Sequence, residues 1–284
     1  FISLMEEKSR ERRKVMAKLT FIGGIHPYDG KDLSKDKPIR EVLPKGDLVY
    51  PLSQHIGAPA EPCVGKGDYV KAGQRIGQAA GFVSANVHSP VSGQVTAVDS
   101  VLDAGGIRRI AVTIRREGDE WADGIDCGDT LIKECSLTDK EIIARITAAG
   151  IVGMGGATFP TQVKLSVPPG KRAEYLIVNG AECEPYLTAD YRTMLERGAE
   201  VLVGVDILCR ALVVTKAFIG IENNKPDAVS HLTALATGYP QIEIVPLRTK
   251  YPQGGEKQLI QAILGREVPS GGLPIDVGAV VQNI

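Results

Sequence analysis

From Tyr175 onward the chain alternates short apolar runs with helical stretches. Tyr175-Leu-Ile-Val178 reads as a buried strand ending at Asn179, and residues 190–212 as a helix. Residues 216–221 read as a strand ending at Glu222-Asn223, and 227–237 as a helix. A strand over 242–247 ends at Arg248, a helix covers 255–264, and a last strand covers 277–282. Each strand–helix unit takes roughly thirty residues. Strands buried on both faces and separated by helices predict an α/β fold with a parallel sheet. Upstream, Thr138-Asp-Lys-Glu141 makes a capping box, Ile142, Ile143 and Ile146 share one helical face, and Gly150 ends the helix.

The texture before residue 117 is different. Gly65-Lys-Gly-Asp68 and Lys71-Ala-Gly73 are turns around the short strand Tyr69-Val70, and Gln74-Arg-Ile76 follows. His88-Ser-Pro-Val-Ser-Gly93 turns into the alternating strand 94–98. Strands this short with turns this regular predict a small barrel or sandwich. The pattern VKAGQ…HSPVSGQV resembles the biotinyl/lipoyl carrier fold, a barrel-sandwich hybrid. A carrier needs a lysine on the hairpin between those motifs, and no lysine occurs from Ala72 to Ile132. The expected organisation is therefore a leader or tag over 1–15, a β-rich barrel-sandwich hybrid over 16–116, a Gly- and Asp-rich linker with Trp121 over 117–137, and an α/β domain over 138–284. Met16-Ala17-Lys18 looks like a natural start.

Charge and cysteine usage narrow the function. The 33 Lys+Arg against 34 Asp+Glu leave a net charge of −1, without the basic excess of a general nucleic-acid binder. The five cysteines, Cys63, Cys127, Cys135, Cys183 and Cys209, are nowhere closer than eight positions apart, so no cluster or zinc spacing is present. A reducing setting is the easier reading. The most apolar stretch, 201–221, is interrupted by Asp206, Arg210 and Lys216, so it reads as a core helix and strand rather than a membrane span. The first fifteen residues hold five basic and three acidic side chains with no apolar h-region, unlike a secretory signal.

In parallel sheets ligands bind beyond the carboxyl ends of the strands. There the chain places Asn179-Gly-Ala-Glu182-Cys-Glu184-Pro185, then Glu222-Asn223-Asn224, then Arg248-Thr-Lys-Tyr251-Pro-Gln-Gly254-Gly255-Glu256. Acidic residues in such loops also serve as helix caps. Ahead of them stands Gly150-Ile-Val-Gly153-Met-Gly155-Gly156-Ala-Thr-Phe159-Pro160-Thr-Gln-Val-Lys164, with four glycines in seven residues. Bare backbone amides there allow close approach of a phosphate or flat ring. No Gly-Lys-Ser/Thr follows, so this is not a Walker A loop, and it follows a helix, unlike a dinucleotide fingerprint.

GMGGATFPTQVK, NGAECEP, KYPQGGEKQLI and VVQN, in this order, resemble the flavin- and nucleotide-binding domain of the 51-kDa-type subunit of respiratory complex I. With the carrier-like front half and Gly23-Gly-Ile-His26-Pro-Tyr-Asp-Gly30, the whole arrangement from about residue 16 more closely resembles the C-subunit family of Rnf electron-transport complexes. The resemblance implies a Rossmann-like flavin domain behind a biotinyl/lipoyl-like barrel-sandwich hybrid. It implies FMN held by Gly153, Gly155, Gly156, Lys164, Asn179, Glu182, Glu184, Tyr251, Gly254, Glu256 and Asn283, and NAD(H) as substrate against Phe159, Glu184 and Glu256. It implies no acid–base catalytic residue and no metal ligand in this stretch. The family continues past VVQN into a ubiquitin-like domain and a two-cluster 4Fe-4S region, so the resemblance implies a truncated chain.

The implied activity is FMN-dependent NADH oxidation or NAD reduction in a membrane-bound, ion-translocating complex. The implied partners are the other Rnf subunits, and the implied location is peripheral, on the cytoplasmic face of the bacterial inner membrane. Departures from the family pattern are Ala181 for an acidic residue, Gly255 for the first of two glutamates, Val167 for a stacking aromatic, and no lysine–phenylalanine counterpart in 267–274. They motivate the alternative of a non-catalytic scaffold subunit that has lost flavin and nucleotide. His26, His55, His88 and His231 are scattered and read as structural. Cys183, between two glutamates, reads as a packing residue with a raised thiol pKa.

Overall fold

The computed structural model describes residues 19–42 and 44–284. The expected leader and the start at Met16 lie outside the described residues. The chain forms two compact units, Arg40–Ser166, and the residues up to Ile39 together with Val167–Ile284. The helix and glycine segment expected to open the α/β domain thus lie in the first unit, while residues 19–39 belong with the parallel sheet.

In Arg40–Ser166 the strands are β1 (Asp47–Pro51), β2 (Glu61–Pro62), β3 (Tyr69–Val70), β4 (Arg75–Gln78), β5 (Val87–His88), β6 (Ser92–Leu102) and β7 (Arg108–Gly118). An antiparallel sheet runs β1-β7-β6-β3, and a smaller one runs β2-β4-β5. Leu52, Val70, Ile76, Val95, Val112 and Ile114 from both sheets make one core. This is the expected barrel-sandwich hybrid. Its long strand β6 extends well beyond the expected 94–98, because it pairs along its length with β7. Trp121 forms a bridge to Ala72 and remains half exposed.

The same unit continues through α1 (Asp139–Ala149), β8 (Val152–Gly153), β9 (Phe159–Pro160) and α2 (Thr161–Leu165). The capping box of α1 is formed: Glu141 N donates to Thr138 Oγ1 and Thr138 N to Glu141 Oε2. Gly150 ends the helix at φ 66, in the left-handed region that glycine tolerates.

The second unit holds β10 (Tyr175–Gly180), α3 (Ala189–Glu196), α4 (Gly198–Leu212), β11 (Ala217–Glu222), α5 (Pro226–Leu235), β12 (Ile242–Leu247), α6 (Glu256–Leu264) and β13 (Ala279–Asn283). The strands are all parallel, in the order β12-β11-β10-β13. Successive residues of a strand face opposite sides. Leu176, Ile177 and Val178 are all buried, so both sides of the sheet are covered. One side packs Ile177, Val245 and Val281 against Leu259 and Ile260 of α6. Chain order reverses between β10 and β13, which makes the gap beyond their carboxyl ends the topological switch point.

One expected helix is two. Residues 190–212 divide at Arg197, whose φ of −130 and ψ of 30 are not helical. Gly198 then starts α4 hard against α5: a Cβ there would meet His231, Leu232 and Leu235 at 3.0 Å.

Ile177→Ala should remove about 2–5 kcal/mol, the ordinary cost of truncating a buried isoleucine in the core. Urea unfolding followed by circular dichroism checks this, and a midpoint unchanged from wild type would contradict the packing described.

Candidate cofactor site

The strand end of β10 and the loop before α6 are tied together. Asn179 Nδ2 donates to the Gly254 carbonyl at 2.8 Å, and its Oδ1 accepts from Ala181 N at 3.2 Å. Gly254 N donates to Cys183 Sγ at 3.2 Å. A Cβ on Gly254 would lie 3.2 Å from Asn179 Oδ1, 3.3 Å from Cys183 Sγ and 3.4 Å from Ala181 Cβ. Position 181 is fully buried in the α6 core cluster, so a family-type carboxylate there would be desolvated among apolar groups. Asn283 is the in-register neighbour of Asn179 across the switch point. Tyr251 pairs with Ile25, each amide donating to the other's carbonyl at 2.8 Å. Glu256 opens α6, where its charge suits the helix N-terminus.

Glu182 turns inward. Its backbone is left-handed, with φ 48, and its side chain is 3% exposed. Oε1 accepts from Asp190 N at 2.7 Å and Tyr191 N at 3.4 Å, capping the first turn of α3. Oε2 lies 3.8 Å from Lys31 Nζ and makes no hydrogen bond. Burial pushes the carboxyl up to about 6, against the pull of Lys31. This is the helix-capping role that acidic loop residues commonly take. Glu184, two residues on, is exposed.

Two lysines that the sequence reading does not single out complete the arrangement. Lys31 Nζ donates to the carbonyls of Glu184 at 3.0 Å and Leu187 at 2.5 Å. Lys225 Nζ donates to the Ala181 carbonyl at 2.8 Å and Asn224 Oδ1 at 3.2 Å, and lies 3.7 Å from Glu222 Oε2. Burial lowers the Lys225 pKa and raises those of Glu222 and Asp190. The only sequence signals for these lysines are their places, one directly after the Gly23–Gly30 stretch and one directly after Glu222-Asn223-Asn224.

In the other unit, β8 and β9 pair antiparallel with Gly153 opposite Phe159, and Met154 in the connecting turn is 83% exposed. A Cβ at Gly156 would meet nothing within 4 Å, and its φ is not positive, so the fold itself does not require glycine there. Lys164 on α2 stands with Nζ 5.9 Å from the Phe159 ring centroid. The structure thus gathers the predicted residues into two groups. Gly153, Gly155, Gly156, Phe159 and Lys164 lie in Arg40–Ser166, and Asn179, Glu182, Glu184, Tyr251, Gly254, Glu256 and Asn283 lie in the unit containing Val167–Ile284.

The Cys183 thiol pKa is raised, as expected, but burial is the main cause and Glu222 the main charge that adds to it, rather than the flanking glutamates. His55 is a structural group: it is buried, and its Nε2 accepts from Ala85 N at 3.2 Å.

Comparison with known proteins agrees with this architecture. A family model described as the Nuo51 FMN-binding domain matches residues 146–284, and one described as the RnfC barrel sandwich hybrid domain matches residues 19–119. The class is therefore a barrel-sandwich hybrid joined to a Nuo51-type domain. The chain is 51% identical over 267 residues to the C subunit of the proton-translocating ferredoxin:NAD(+) oxidoreductase complex of Clostridium ljungdahlii, covering 93% of this chain and 57% of that protein. It is 46% identical over 269 residues to the C subunit of the Na(+)-translocating ferredoxin:NAD(+) oxidoreductase complex of Acetobacterium woodii, covering 93% and 59%. It is 46% identical over 273 residues to the C subunit of the ion-translocating oxidoreductase complex of Rhodobacter capsulatus, covering 92% and 50%. The chain belongs to the C-subunit family of Rnf-type ion-translocating oxidoreductase complexes. It spans 50–59% of the length of these relatives.

Glu182 gives the site a pH signature. Its folded pKa of about 6 exceeds the ordinary 4.5, so the folded chain takes up the proton first. Its contribution to stability is full below about 4.5 and lost as pH rises through about 6. Urea midpoints measured across this window should fall with rising pH in wild type and flatten in Glu182→Gln. A wild type that gains stability relative to the variant as pH rises would contradict this.

Proposed function

We propose that this chain is the FMN-binding part of an NADH-oxidising or NAD-reducing subunit in a membrane-bound, ion-translocating electron-transport complex. The observation that carries the reading is the reach of the Nuo51-type family model. Residues 146–284 take in the glycine segment, the Asn179 strand end, the Tyr251–Glu256 loop and Asn283 together. The residues present fit such a cofactor. Gly156 offers backbone bordered by open space, as a flat ring or phosphate tail requires. Asn179 and Asn283 flank the switch point, where α/β sheets take nucleotides.

In this reading Gly153, Gly155, Gly156, Lys164, Asn179, Glu182, Glu184, Tyr251, Gly254, Glu256 and Asn283 hold FMN, and Phe159, Glu184 and Glu256 meet NAD(H). Bound FMN would supply hydride exchange with NAD(H) and single-electron transfer onward, while the protein supplies position and electrostatics. The glycine backbone permits close approach, and Lys164 supplies a cation for an anionic tail. The Asn179 amide has the capacity for a second donated hydrogen bond beyond the one to Gly254. Glu182, committed to the α3 amides, acts by fixing the loop that carries Glu184. The 4Fe-4S clusters that would accept single electrons belong to the further region expected from the family. Among the described residues, no group of His, Cys, Asp or Glu could hold a metal ion, and no helix is long and apolar enough to cross a membrane. The reading places the chain peripherally on the cytoplasmic face, docked to the other Rnf subunits.

A second reading, a scaffold subunit without cofactor, is favoured by the internal hydrogen bonds that already engage Asn179, Glu182 Oε1 and Cys183. Titration with FMN, followed by quenching of flavin fluorescence, separates the two. The first reading expects saturable 1:1 binding, bleaching of the bound flavin by NADH without oxygen, and about tenfold weaker binding in Lys164→Ala. Absence of FMN uptake alongside intact capture of partner subunits would overturn it in favour of the scaffold.

A further inference from the structure

The hairpin that would carry a modified lysine in a carrier domain joins β4 to β5 through Ala79-Ala-Gly-Phe-Val-Ser-Ala-Asn86. Here it is turned to another use. Ser84 Oγ donates to the Ala58 carbonyl at 2.8 Å and accepts from Ala80 N at 3.1 Å, so the loop is itself held firmly. Asn86 Oδ1 accepts from Ala79 N at 2.9 Å, which fixes which end of its amide faces away. Nδ2 then donates to two carbonyls in the last turn of α1, Thr147 at 3.2 Å and Ala148 at 3.1 Å. Carbonyls in a helix's last turn lack the usual partners within the helix, and Thr147 O accepts in addition only from the capping Gly150 N at 3.1 Å among the backbone hydrogen bonds there. Fit here is close: a Cβ on Gly150 would sit 2.2 Å from the Asn86 carbonyl oxygen. Beyond the glycine hairpin, Gln162 Nε2 on α2 donates to the Ser84 carbonyl at 2.8 Å. The loop therefore grips the chain on both sides of β8 and β9, at residues 147–150 and again at 162.

We infer that Asn86 is a positioning residue for the proposed cofactor site, and that the carrier-like hairpin serves as a clamp that aims the glycine segment. This rests on the FMN reading above. The clamp joins elements of one compact unit, and its hydrogen bonds bracket the exposed turn whose glycine at 156 the fold itself does not demand. A lysine-free hairpin is what such a role needs, because its polar capacity is spent on neighbouring backbone instead of on a prosthetic arm.

Asn86→Asp tests it in the full 284-residue chain. The variant keeps the acceptor for Ala79 N and sets an oxygen against two carbonyls. Amide hydrogen exchange and FMN titration are measured together, with Gln162→Leu as a second variant that removes the other grip. The expected result is faster exchange confined to residues 145–164, unchanged exchange in β10–β12, and FMN binding weakened about tenfold at temperatures well below the melting transition. A purely structural role would lower the melting temperature and leave FMN affinity within about twofold well below it. That outcome, or exchange at 145–164 equal to wild type in both variants, overturns the inference. If wild type itself takes up no FMN, the cofactor reading falls, and the exchange measurement still decides whether the hairpin clamps the segment.

Discussion

Two ammonium groups taken out of water hold the strand-end loop of the parallel sheet. Lys31 and Lys225 are almost wholly buried, and between them they bond the carbonyls of Ala181, Glu184 and Leu187. Burying a charge costs several kcal/mol unless it is paired and hydrogen-bonded. The partners are Glu222 for Lys225 and Glu182 for Lys31, each itself buried. The loop after β10 thus keeps its shape because departure would strand charges in an apolar setting. Its single inward acid, Glu182, also caps α3, so the loop, the N-terminal segment and the next helix are fixed by one cluster.

This arrangement explains why the fold is easier to read than the site. The strands at 175–180, 217–222 and 242–247 announce themselves through mostly apolar runs, interrupted at Glu243 on the edge strand, since a parallel sheet covered on both sides leaves little polar face. The capping box at Thr138 and the stop at Gly150 are local, and local chemistry is visible in a local stretch. Lys31 and Lys225 are not legible, because a lysine in a polar loop looks the same whether it points to water or to a carbonyl 153 residues away. The break at Arg197 has Gly198 as its local sign, but the reason for that glycine is not local: it is the close approach to α5.

The unit boundary carries the same lesson. Composition changes at the Gly- and Asp-rich stretch 117–137, and that is where sequence places a linker. The fold instead keeps α1 and the glycine hairpin with the barrel-sandwich hybrid, through Asn86 and Gln162. Side-chain amides reaching across about sixty to eighty residues leave no periodic trace. The segment before Ile39 joins the sheet by equally specific means, the Ile25–Tyr251 bridge and the Lys31 hydrogen bonds.

The glycines can be sorted by what demands them. At Gly150 both a left-handed φ and the Asn86 carbonyl exclude a side chain, and at Gly254 the Asn179, Cys183 and Ala181 side chains leave little room for one. Those positions are explained by the chain's own packing and say nothing about a ligand. Gly156 is different: its φ is ordinary and the space around a Cβ is open. A residue whose smallness the fold does not use is the place where an outside requirement is most plainly felt, and it lies on an exposed turn held at both ends. The physical case for a flat, phosphate-bearing cofactor therefore rests less on the abundance of glycine than on a glycine of this segment that the packing does not demand, set where its backbone faces open space.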